Sequence, residues 1–188
     1  MRPEESAITH HAAIELQSYS PAWRERFGAE HNVLTAIFSA PGFFIEHIGS
    51  TSVPGLAAKP IIDILLGAPA LAQIEARIPA IQAIGYQKLQ EYEAVLPQRR
   101  YFVKPTVTTR EFHVHAVESE SAFWSEHLLF RDTLRSEPDV AARYAALKHE
   151  LAASYGDDRD GHADAKAPFI RSVIERATAR LKLTADPQ

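Results

Sequence analysis

The sequence contains no cysteine, and this absence excludes two kinds of site. Without thiols the chain forms no disulfide and no thiolate-ligated metal centre. A chain free of cysteine is compatible with a reducing compartment, so we expect a cytoplasmic protein.

Long apolar runs and a surplus of basic charge are also missing. No apolar stretch approaches the roughly 20 residues that a membrane helix requires. The polar start of the chain lacks the apolar core of a signal peptide. Twenty basic residues stand against 24 acidic ones, which gives a formal net charge of −4. We therefore expect neither a membrane protein nor a broad nucleic-acid-binding surface. The composition does not exclude local basic pockets.

The length and the hydrophobic fraction are those of an ordinary globular protein. The chain has 188 residues, of which 46% are hydrophobic. A chain of this length buries roughly 70% of its unfolded surface on folding. We therefore expect one domain over residues 1–188, with a polar tail at residues 1–11.

The most informative stretch is residues 45–66, IEHIGSTSVPGLAAKPIIDILL. Its composition predicts a strand, a tight polar turn, a short loop and a second strand. The turn is Gly49–Ser52, which we call the glycine turn, and Asp63 lies inside the apolar run of the second strand. A buried carboxylate is costly unless it is paired, hydrogen-bonded or bound to a metal. This layout suits a site that holds a phosphate and a cation.

Apolar spacing on both sides of this stretch predicts further elements. One helix covers residues 20–39, with the first serine as its N-cap. A second helix covers residues 70–84 and is kinked at Pro79. Extended segments at residues 86–96 and 99–104 are expected to form a hairpin.

Residues 110–117, REFHVHAV, form the clearest alternating pattern of the chain and predict a strand. One face of this strand carries Phe112, Val114 and Ala116. The other face carries Glu111, His113, His115 and Val117.

The last third of the chain has helical periodicity. One helix begins near Ser121, a capping box is expected at residues 136–139, and the following helix ends near Gly156. A charged loop at residues 157–162 then leads to a last helix that spans residues 169–181. Strands followed by helices predict an α+β fold, in which helices cover a mixed sheet and further helices lie at the C-terminal end.

The residue types of the glycine turn and of Asp63 favour phosphate and cation binding. Glycine lets the backbone approach a ligand closely, and exposed N–H groups bind phosphate well. Asp63 would bind Mg²⁺ or another hard cation that carries a triphosphate. The alternatives are an ordinary strand-to-loop turn and a structural carboxylate paired with Lys59 or an arginine.

Two other pairs of residues have two interpretations each. His113 and His115 lie two residues apart on one side of a strand, which is a spacing used by metal ligands, and His47 could join them. Alternatively, the two histidines face solvent on an edge strand. Arg99 and Arg100 either contact phosphate through bidentate hydrogen bonds or lie on a solvated strand face.

Several residues of the C-terminal third have simpler interpretations. His127 lies on an apolar helix face, so we expect a hydrogen-bonded core histidine. Four basic residues are interpreted as helix-surface charges, namely Arg131, Arg135, Lys148 and Lys166.

The run HIGSTSVPGLAAKPIIDIL resembles the signature of the GrpB-like proteins. Further matches to that family are spread along the chain, in SYSPAWRERFGAE, QRRYFVK, FHVHAVE, HLLFRDTLRSEPDVAARYAALKHELA and KAPFI. The resemblance extends from about Ile14 to Ala177 and therefore covers nearly the whole chain.

The resemblance implies a nucleotidyltransferase-like fold. In that superfamily a glycine-serine turn holds the triphosphate, and carboxylates in an Asp-x-Asp pattern, with a third from a later strand, bind two divalent metals. Gly49 and Ser50 match the turn and Asp63 the first carboxylate, whereas Leu65 occupies the second position. The place of the third carboxylate falls on the strand of His113 and His115.

These departures leave a two-Mg²⁺ site poorly supported. A single Zn²⁺ or Mn²⁺ held by Asp63 and the histidines is more natural chemically, and loss of nucleotidyl transfer is equally natural. The family also contains domains fused to dephospho-coenzyme A kinase. The present chain has no Walker-type loop, so kinase activity is not carried over.

The expected function is therefore nucleotide binding at a degenerate or atypical metal-dependent nucleotidyltransferase site. The alternatives are a non-catalytic nucleotide- or coenzyme A-linked binding module and a metal-dependent hydrolase built on Asp63, His113 and His115. The expected cofactor is a divalent metal ion, Mg²⁺, Mn²⁺ or Zn²⁺, and its expected ligands are Asp63, His113, His115 and His47. The expected contacts to a nucleoside triphosphate or related phosphate ligand are Gly49, Ser50, Thr51, Ser52, Lys59, Arg99 and Arg100.

Overall fold

The structure is a computed structural model that describes residues 16–105, 110–155 and 159–185. The strands are β1 (Phe44–Ile48), β2 (Ile62–Ala68), β3 (Gln87–Lys88), β4 (Arg100–Pro105) and β5 (Arg110–Glu118). They form one sheet in the order β1-β2-β5-β4-β3. Strands β2 and β5 run parallel and the other neighbours run antiparallel, so the sheet is mixed.

Two groups of helices accompany the sheet. The helices are α1 (Ala22–Ile37), α2 (Leu71–Glu75), α3 (Ile78–Ala83), α4 (Ala122–Ser136), α5 (Pro138–Tyr155) and α6 (Arg159–Ala185). The predicted α+β class, with a mixed sheet and C-terminal helices, is confirmed. Over the described ranges, no helix has both the length and the apolar character needed to cross a membrane.

The two faces of the sheet differ in chemistry because side chains alternate along β2 and β5. One face packs against α1, α2 and α3 and forms the main core, which includes Ile62, Ile64, Leu66, Phe112, Val114 and Ala116. On the other face Asp63 is paired with His113 and Leu65 with His115. The fold therefore brings the predicted site residues of β2 and β5 side by side.

The position of β5 in the sheet tests whether its histidines lie on an edge strand. This strand lies between β2 and β4, so it is an interior strand. The alternative of solvent-facing residues on an edge strand is therefore wrong. The predicted alternation over residues 110–117 is confirmed.

Two predicted segments before β4 are wrong in their extent. The helix expected over residues 70–84 is two short helices, α2 and α3, with Pro79 in the first turn of the second. Proline has no N–H to continue an earlier helix but is well placed at a helix start. The extended segment at residues 86–96 is also shorter than expected, because β3 gives way to a 3₁₀ helix at Gln90–Glu93.

Helix termini account for the remaining differences. Pro21, not Ser20, is the N-cap of α1, and this helix ends at Ile37. Ser136 is the last residue of α4 and donates its hydroxyl proton to Asp132 O, so it caps no following helix. Helix α6 begins at Arg159, inside the segment expected to be a charged loop. Residues 1–15 and 156–158, which include the predicted polar tail, lie outside the described residues.

Candidate functional site

The glycine turn joins β1 to the segment that leads into β2, and its first residue is in contact with Asp63. Gly49 has a φ of 70° and a ψ of −175°, a conformation that is essentially restricted to glycine. A Cβ atom at this position would lie 2.3 Å from Asp63 Oδ2. Ser52 closes the turn, since its hydroxyl donates to Gly49 O over 2.7 Å. The turn backbone therefore lies directly against the carboxylate.

Asp63 is held on its other side by the histidines of β5. Its Oδ1 lies 3.3 Å from His113 Nδ1 and 4.0 Å from His115 Nε2. The Asp63 side chain keeps 29% of its exposure, so the carboxylate still faces an opening. Burial raises the pKa of Asp63, but the hydrogen bond and the charge interaction with His113 outweigh it, and the net pKa lies below its usual value. Asp63 is therefore ionised at neutral pH.

His115 is fixed between Asp63 and Arg99. Arg99 Nη1 lies 3.2 Å from His115 Nδ1. Because a guanidinium group can only donate, His115 Nδ1 is the acceptor and its proton is on Nε2, on the side of Asp63. Burial lowers the pKa of His115 to about 3, against the attraction of Asp63. His115 is therefore a neutral imidazole that orients its two neighbours.

Two buried nitrogen atoms at this place have no hydrogen-bond partner among the described residues. They are His113 Nε2 and Arg99 Nε. Most buried polar atoms in proteins are hydrogen-bonded, so two unpartnered atoms beside one opening indicate capacity for a ligand.

Helix α5 contributes a lysine to the same place. Lys148 is 3% exposed, and its Nζ donates to Ser50 Oγ over 3.1 Å and to Ala57 O. No carboxylate of the described residues forms an ion pair with it. Burial, and then the charge of Lys166, lower the pKa of Lys148 to about 7. The protonated form of this amine is a buried cation without a carboxylate partner among the described residues, which is why the amine is only partly protonated at neutral pH.

Helix α6 contributes a second lysine, Lys166. Its pKa is lowered by burial, while the attraction of Asp63 opposes the shift. Tyr144 of α5 lies near the same residues. Burial raises the pKa of its phenol to about 12, while the Ser50 hydroxyl and the charge of Asp63 also act on it. We refer to Asp63, His113, His115, Arg99, Lys148 and Lys166 as the Asp63 cluster.

The C-terminal helices are held over the glycine turn by an apolar cluster of their own. Val53 and Leu56, which follow the turn, pack against residues of α4, α5 and α6, namely Leu134, Val140, Tyr144 and Val173. This contact explains how Lys148, 98 residues from Ser50 in sequence, reaches the turn.

The interpretation of four basic residues as helix-surface charges is wrong for Arg131 and Lys148, which are buried. Arg131 is 9% exposed and donates to Glu46 Oε2 over 2.6 Å and to His47 O over 3.3 Å, which ties α4 to β1. Lys148 belongs to the Asp63 cluster. Arg135 is exposed, yet it donates to Ser52 O over 2.9 and 3.1 Å. Lys166 is half-buried.

A signal for Lys148 was present in the sequence. It falls four and eight residues after Tyr144 and Val140, on the buried stripe of α5. Lys166 likewise precedes Phe169 and Ile170 of the apolar stripe of α6 by three and four residues. A lysine on an apolar stripe is a candidate for a buried charge, and hence for a site.

Two predicted site residues are not brought into the Asp63 cluster. His47 lies on the other face of the sheet, opposite Ile64, with its ring stacked on Phe27 at 4.6 Å between centroids. Burial lowers the pKa of His47 to about 4. Arg100 pairs with Glu75 of α2, its Nε lying 2.8 Å from Glu75 Oε1. Among the described residues neither side chain forms a hydrogen bond or ion pair with Asp63, and His47 Nε2 instead lies 3.1 Å from Thr51 Oγ1 of the glycine turn. The metal-ligand role expected of His47 and the phosphate contact expected of Arg100 stay predictions.

The remaining predicted residues of this region lie at or near the turn. Thr51 and Ser52 are buried, and their hydroxyls donate to Ile61 O over 3.1 Å and to Gly49 O. Lys59 is half-buried in the segment between the turn and β2. His127, expected to be a hydrogen-bonded core histidine, lies 2.7 Å from Phe123 O through Nδ1, which confirms the hydrogen bond, but it is half-buried and not part of the core.

The side chains of the Asp63 cluster do not match the ligands of a two-metal site. Leu65, on the same face two residues after Asp63, is fully buried against Ile48 and Val117, where a second carboxylate would have to be. Within residues 16–105, 110–155 and 159–185, no group of three or more metal-binding side chains is arranged to hold an ion. The donors therefore do not fit the two-metal arrangement. The expected divalent cation stays a prediction, and phosphate binding at the cluster does not depend on it.

Comparisons with known proteins agree with the resemblance of the central motif. A family model described as GrpB protein matches residues 13–176. The UPF0157 protein PA4798 of Pseudomonas aeruginosa is 40% identical over 88% of this chain and 68% of its own length. The glutamate-rich protein GrpB of Alkalihalophilus pseudofirmus is 31% identical over 86% of this chain and 94% of its own. The crystal structure of the conserved protein GrpB from Enterococcus faecalis has a TM-score of 0.79 at 35% identity, covering 89% of this chain and 99% of that one.

Proposed function

This chain belongs to the GrpB family, and on that premise we propose that it binds a nucleoside triphosphate or a related phosphate-bearing small molecule at the Asp63 cluster. The observation that carries this proposal is the balance of charge around the glycine turn. Arg99 donates to His115, Lys148 donates to Ser50 and the charge of Asp63 acts on Lys166, while burial lowers the pKa of each of these three basic groups. Buried cations need counter-charge, and a phosphate ligand supplies it.

Each part of the cluster has a role in this binding mode. Gly49 lets the turn backbone come close to the ligand as well as to Asp63. Lys148 and Lys166 supply positive charge from the helices, and the buried Nε of Arg99 has no hydrogen-bond partner among the described residues. Asp63 repels an anion, so its role is to hold His113 and His115 in place.

The protonation of Lys148 gives this binding a recognisable signature. With a pKa of about 7, the free amine is only partly protonated in neutral solution. An anion raises that pKa, so binding at pH 8 takes up a proton. Calorimetry in two buffers of different ionisation enthalpy measures this uptake directly.

The test is a thermal-shift panel with the four ribonucleoside triphosphates and coenzyme A, each with EDTA, Mg²⁺, Mn²⁺ or Zn²⁺. A ligand at about 100 times its dissociation constant adds about 2.7 kcal/mol, which for a chain of this size raises Tm by roughly 5–10 °C. Lys166→Met should remove the shift. Lys182→Met, an exposed lysine of the same helix, is the matched control and should keep it. No shift with any compound, or an equal shift in both variants, would contradict the proposal.

A second candidate function is favoured by one further observation. His113 Nδ1 faces Asp63, while its Nε2 is buried and has no hydrogen-bond partner in the described part of the chain. An imidazole oriented by a carboxylate in this way can accept a proton through Nε2 from a water molecule whose oxygen attacks a bound phosphoryl group, with the remaining phosphate leaving. Phosphate or pyrophosphate release that is lost in His113→Ala, but kept in His149→Ala on the surface of α5, would support hydrolysis. Binding without release would leave the first function alone.

A further inference from the structure

A cavity opens beside the glycine turn. It has a volume of about 760 Å³ and lies between α1, β1, the segment after the turn, and helices α4 and α5. Thr51 and Ser52 line it, whereas Asp63 and the other members of its cluster do not. We call it the arginine cleft, after Arg24, Arg131 and Arg135 in its wall. Its size falls within the range of about 300–1,000 Å³ that small-molecule sites occupy.

The floor of the arginine cleft is apolar. Side chains from both sides of the sheet contribute to it, among them Phe27, Leu56, Leu134 and Ala145. Leu56 and Leu134 belong to a buried apolar cluster, and Phe27 stacks on His47. This surface suits the apolar part of a ligand and is fixed by the packing beneath it.

The arginines of the wall differ in how far their charge is compensated. Arg131 is paired with Glu46 at 2.6 Å and with Asp132 at 2.7 Å. Arg135 bonds the Ser52 carbonyl, and its nearest carboxylate is Asp132, shared with Arg131, at 3.6 Å. The Arg24 side chain is exposed, and its guanidinium forms no hydrogen bond or ion pair with any other described residue.

The two less compensated arginines also repel each other. Burial lowers the pKa of Arg135, and the charges of Arg131 and Arg24 lower it further against the attraction of Asp132 and Glu46. A surplus of positive charge therefore lies at the rim of an apolar cavity, and an anionic group there would relieve it.

We propose that the arginine cleft binds a small organic anion, with its apolar body on Phe27 and Leu134 and a single phosphate or carboxylate group at Arg24 and Arg135. Arginine matches both groups through two parallel hydrogen bonds. This site goes beyond the function proposed above, because it uses no member of the Asp63 cluster. The glycine turn borders both sites, so the protein holds two different ligands beside one turn.

The test is an isothermal titration of the full-length protein with phenyl phosphate and with benzoate. Inorganic phosphate and phenol are the reference compounds, each lacking one half of the proposed recognition. We expect phenyl phosphate or benzoate to bind more tightly than both references, and the stronger of the two identifies the anionic group. The double variant Arg24→Gln/Arg135→Gln should weaken that binding at least about tenfold, as expected for the loss of charge-assisted hydrogen bonds.

Two further variants keep the outcome interpretable. Arg143→Gln removes an exposed arginine of α5 outside the cleft and should leave the affinity unchanged. Ala142→Trp, at an exposed position of the wall, retains every charge and fills the cavity, so it should abolish binding. Equal affinity in wild type and both cleft variants would overturn the proposal, as would inorganic phosphate binding as tightly as phenyl phosphate. Loss of binding in Lys166→Met alone would place the anion at the Asp63 cluster and overturn it as well.

Discussion

Gly49 and Asp63 are in direct contact, and this contact explains why a glycine precedes the three hydroxyl residues of the turn. A Cβ at position 49 would lie 2.3 Å from Asp63 Oδ2 and 3.0 Å from its Cβ. The turn and the carboxylate therefore form one unit, in which neither position can change without moving the other.

We predict that Gly49→Ala destabilises the protein more than Gly55→Ala does. Both glycines have positive φ, 70° and 80°, so both substitutions incur a backbone strain of roughly 1–3 kcal/mol. Only at Gly49 does the new methyl group also meet Asp63, since nothing lies within 4 Å of a Cβ at Gly55. Urea denaturation of the two variants measures the difference. Equal losses of unfolding free energy would show that the contact with Asp63 adds nothing.

Local pattern was sufficient to predict the strand–turn–strand unit and the alternation of β5. Both depend on neighbours in sequence, and a period of two assigns each residue of a strand to a face. Because neighbouring residues of a strand point to opposite faces, Arg99 reaches His115 on one face and Arg100 pairs with Glu75 on the other. The sequence did not show which arginine lies on which side, because that depends on where β4 begins and on its register with β5.

Contacts between distant segments could not be predicted in the same way. The register of β1 against β2 places Ile48, and not His47, opposite Asp63, and no local pattern contains that register. Lys148 reaches Ser50 across 98 residues because three helices pack over the turn. Its position on an apolar stripe was visible, but its partner was not.

The burial of His115 leads to a prediction about acid stability. Its pKa in the folded protein is about 3, below the ordinary value of 6.5. Between these values the unfolded chain binds a proton that the folded one does not, so stability falls as pH drops from 6.5 towards 3. His115→Gln should therefore lose less unfolding free energy than wild type between pH 7 and pH 4. His149→Gln, at an exposed position of α5, should behave like wild type, and a His115→Gln curve parallel to wild type would contradict the prediction.

The burial of Lys148 leads to a prediction about stability at alkaline pH. Its folded-state pKa of about 7 lies below the ordinary 10.5. Between these values the unfolded chain holds the proton, so the wild type gains stability as pH rises from about 7 to 10.5, by on the order of a few kcal/mol. Lys148→Met should lack this rise. The measurement is urea unfolding at pH 7 and pH 9, with Lys182→Met as the exposed control. A rise of equal size in Lys148→Met would show that the amine is not the group responsible.

The substitution Leu65→Asp tests whether a second carboxylate beside Asp63 creates a metal site. The side chain is fully buried with Ile48 and Val117, so Leu65→Asp places a charge among apolar groups, beside the negative charge of Asp63. We expect a loss of on the order of 3–5 kcal/mol, as for other buried charges left without a partner. Leu65→Asn, which has the same shape without the charge, should lose less. Thermal unfolding with and without Mn²⁺ separates the two outcomes for a metal. If Mn²⁺ restores the Tm of Leu65→Asp but not of Leu65→Asn, a cation does bind between positions 63 and 65, and the apolar residue at 65 is then what keeps the natural site from holding a metal pair.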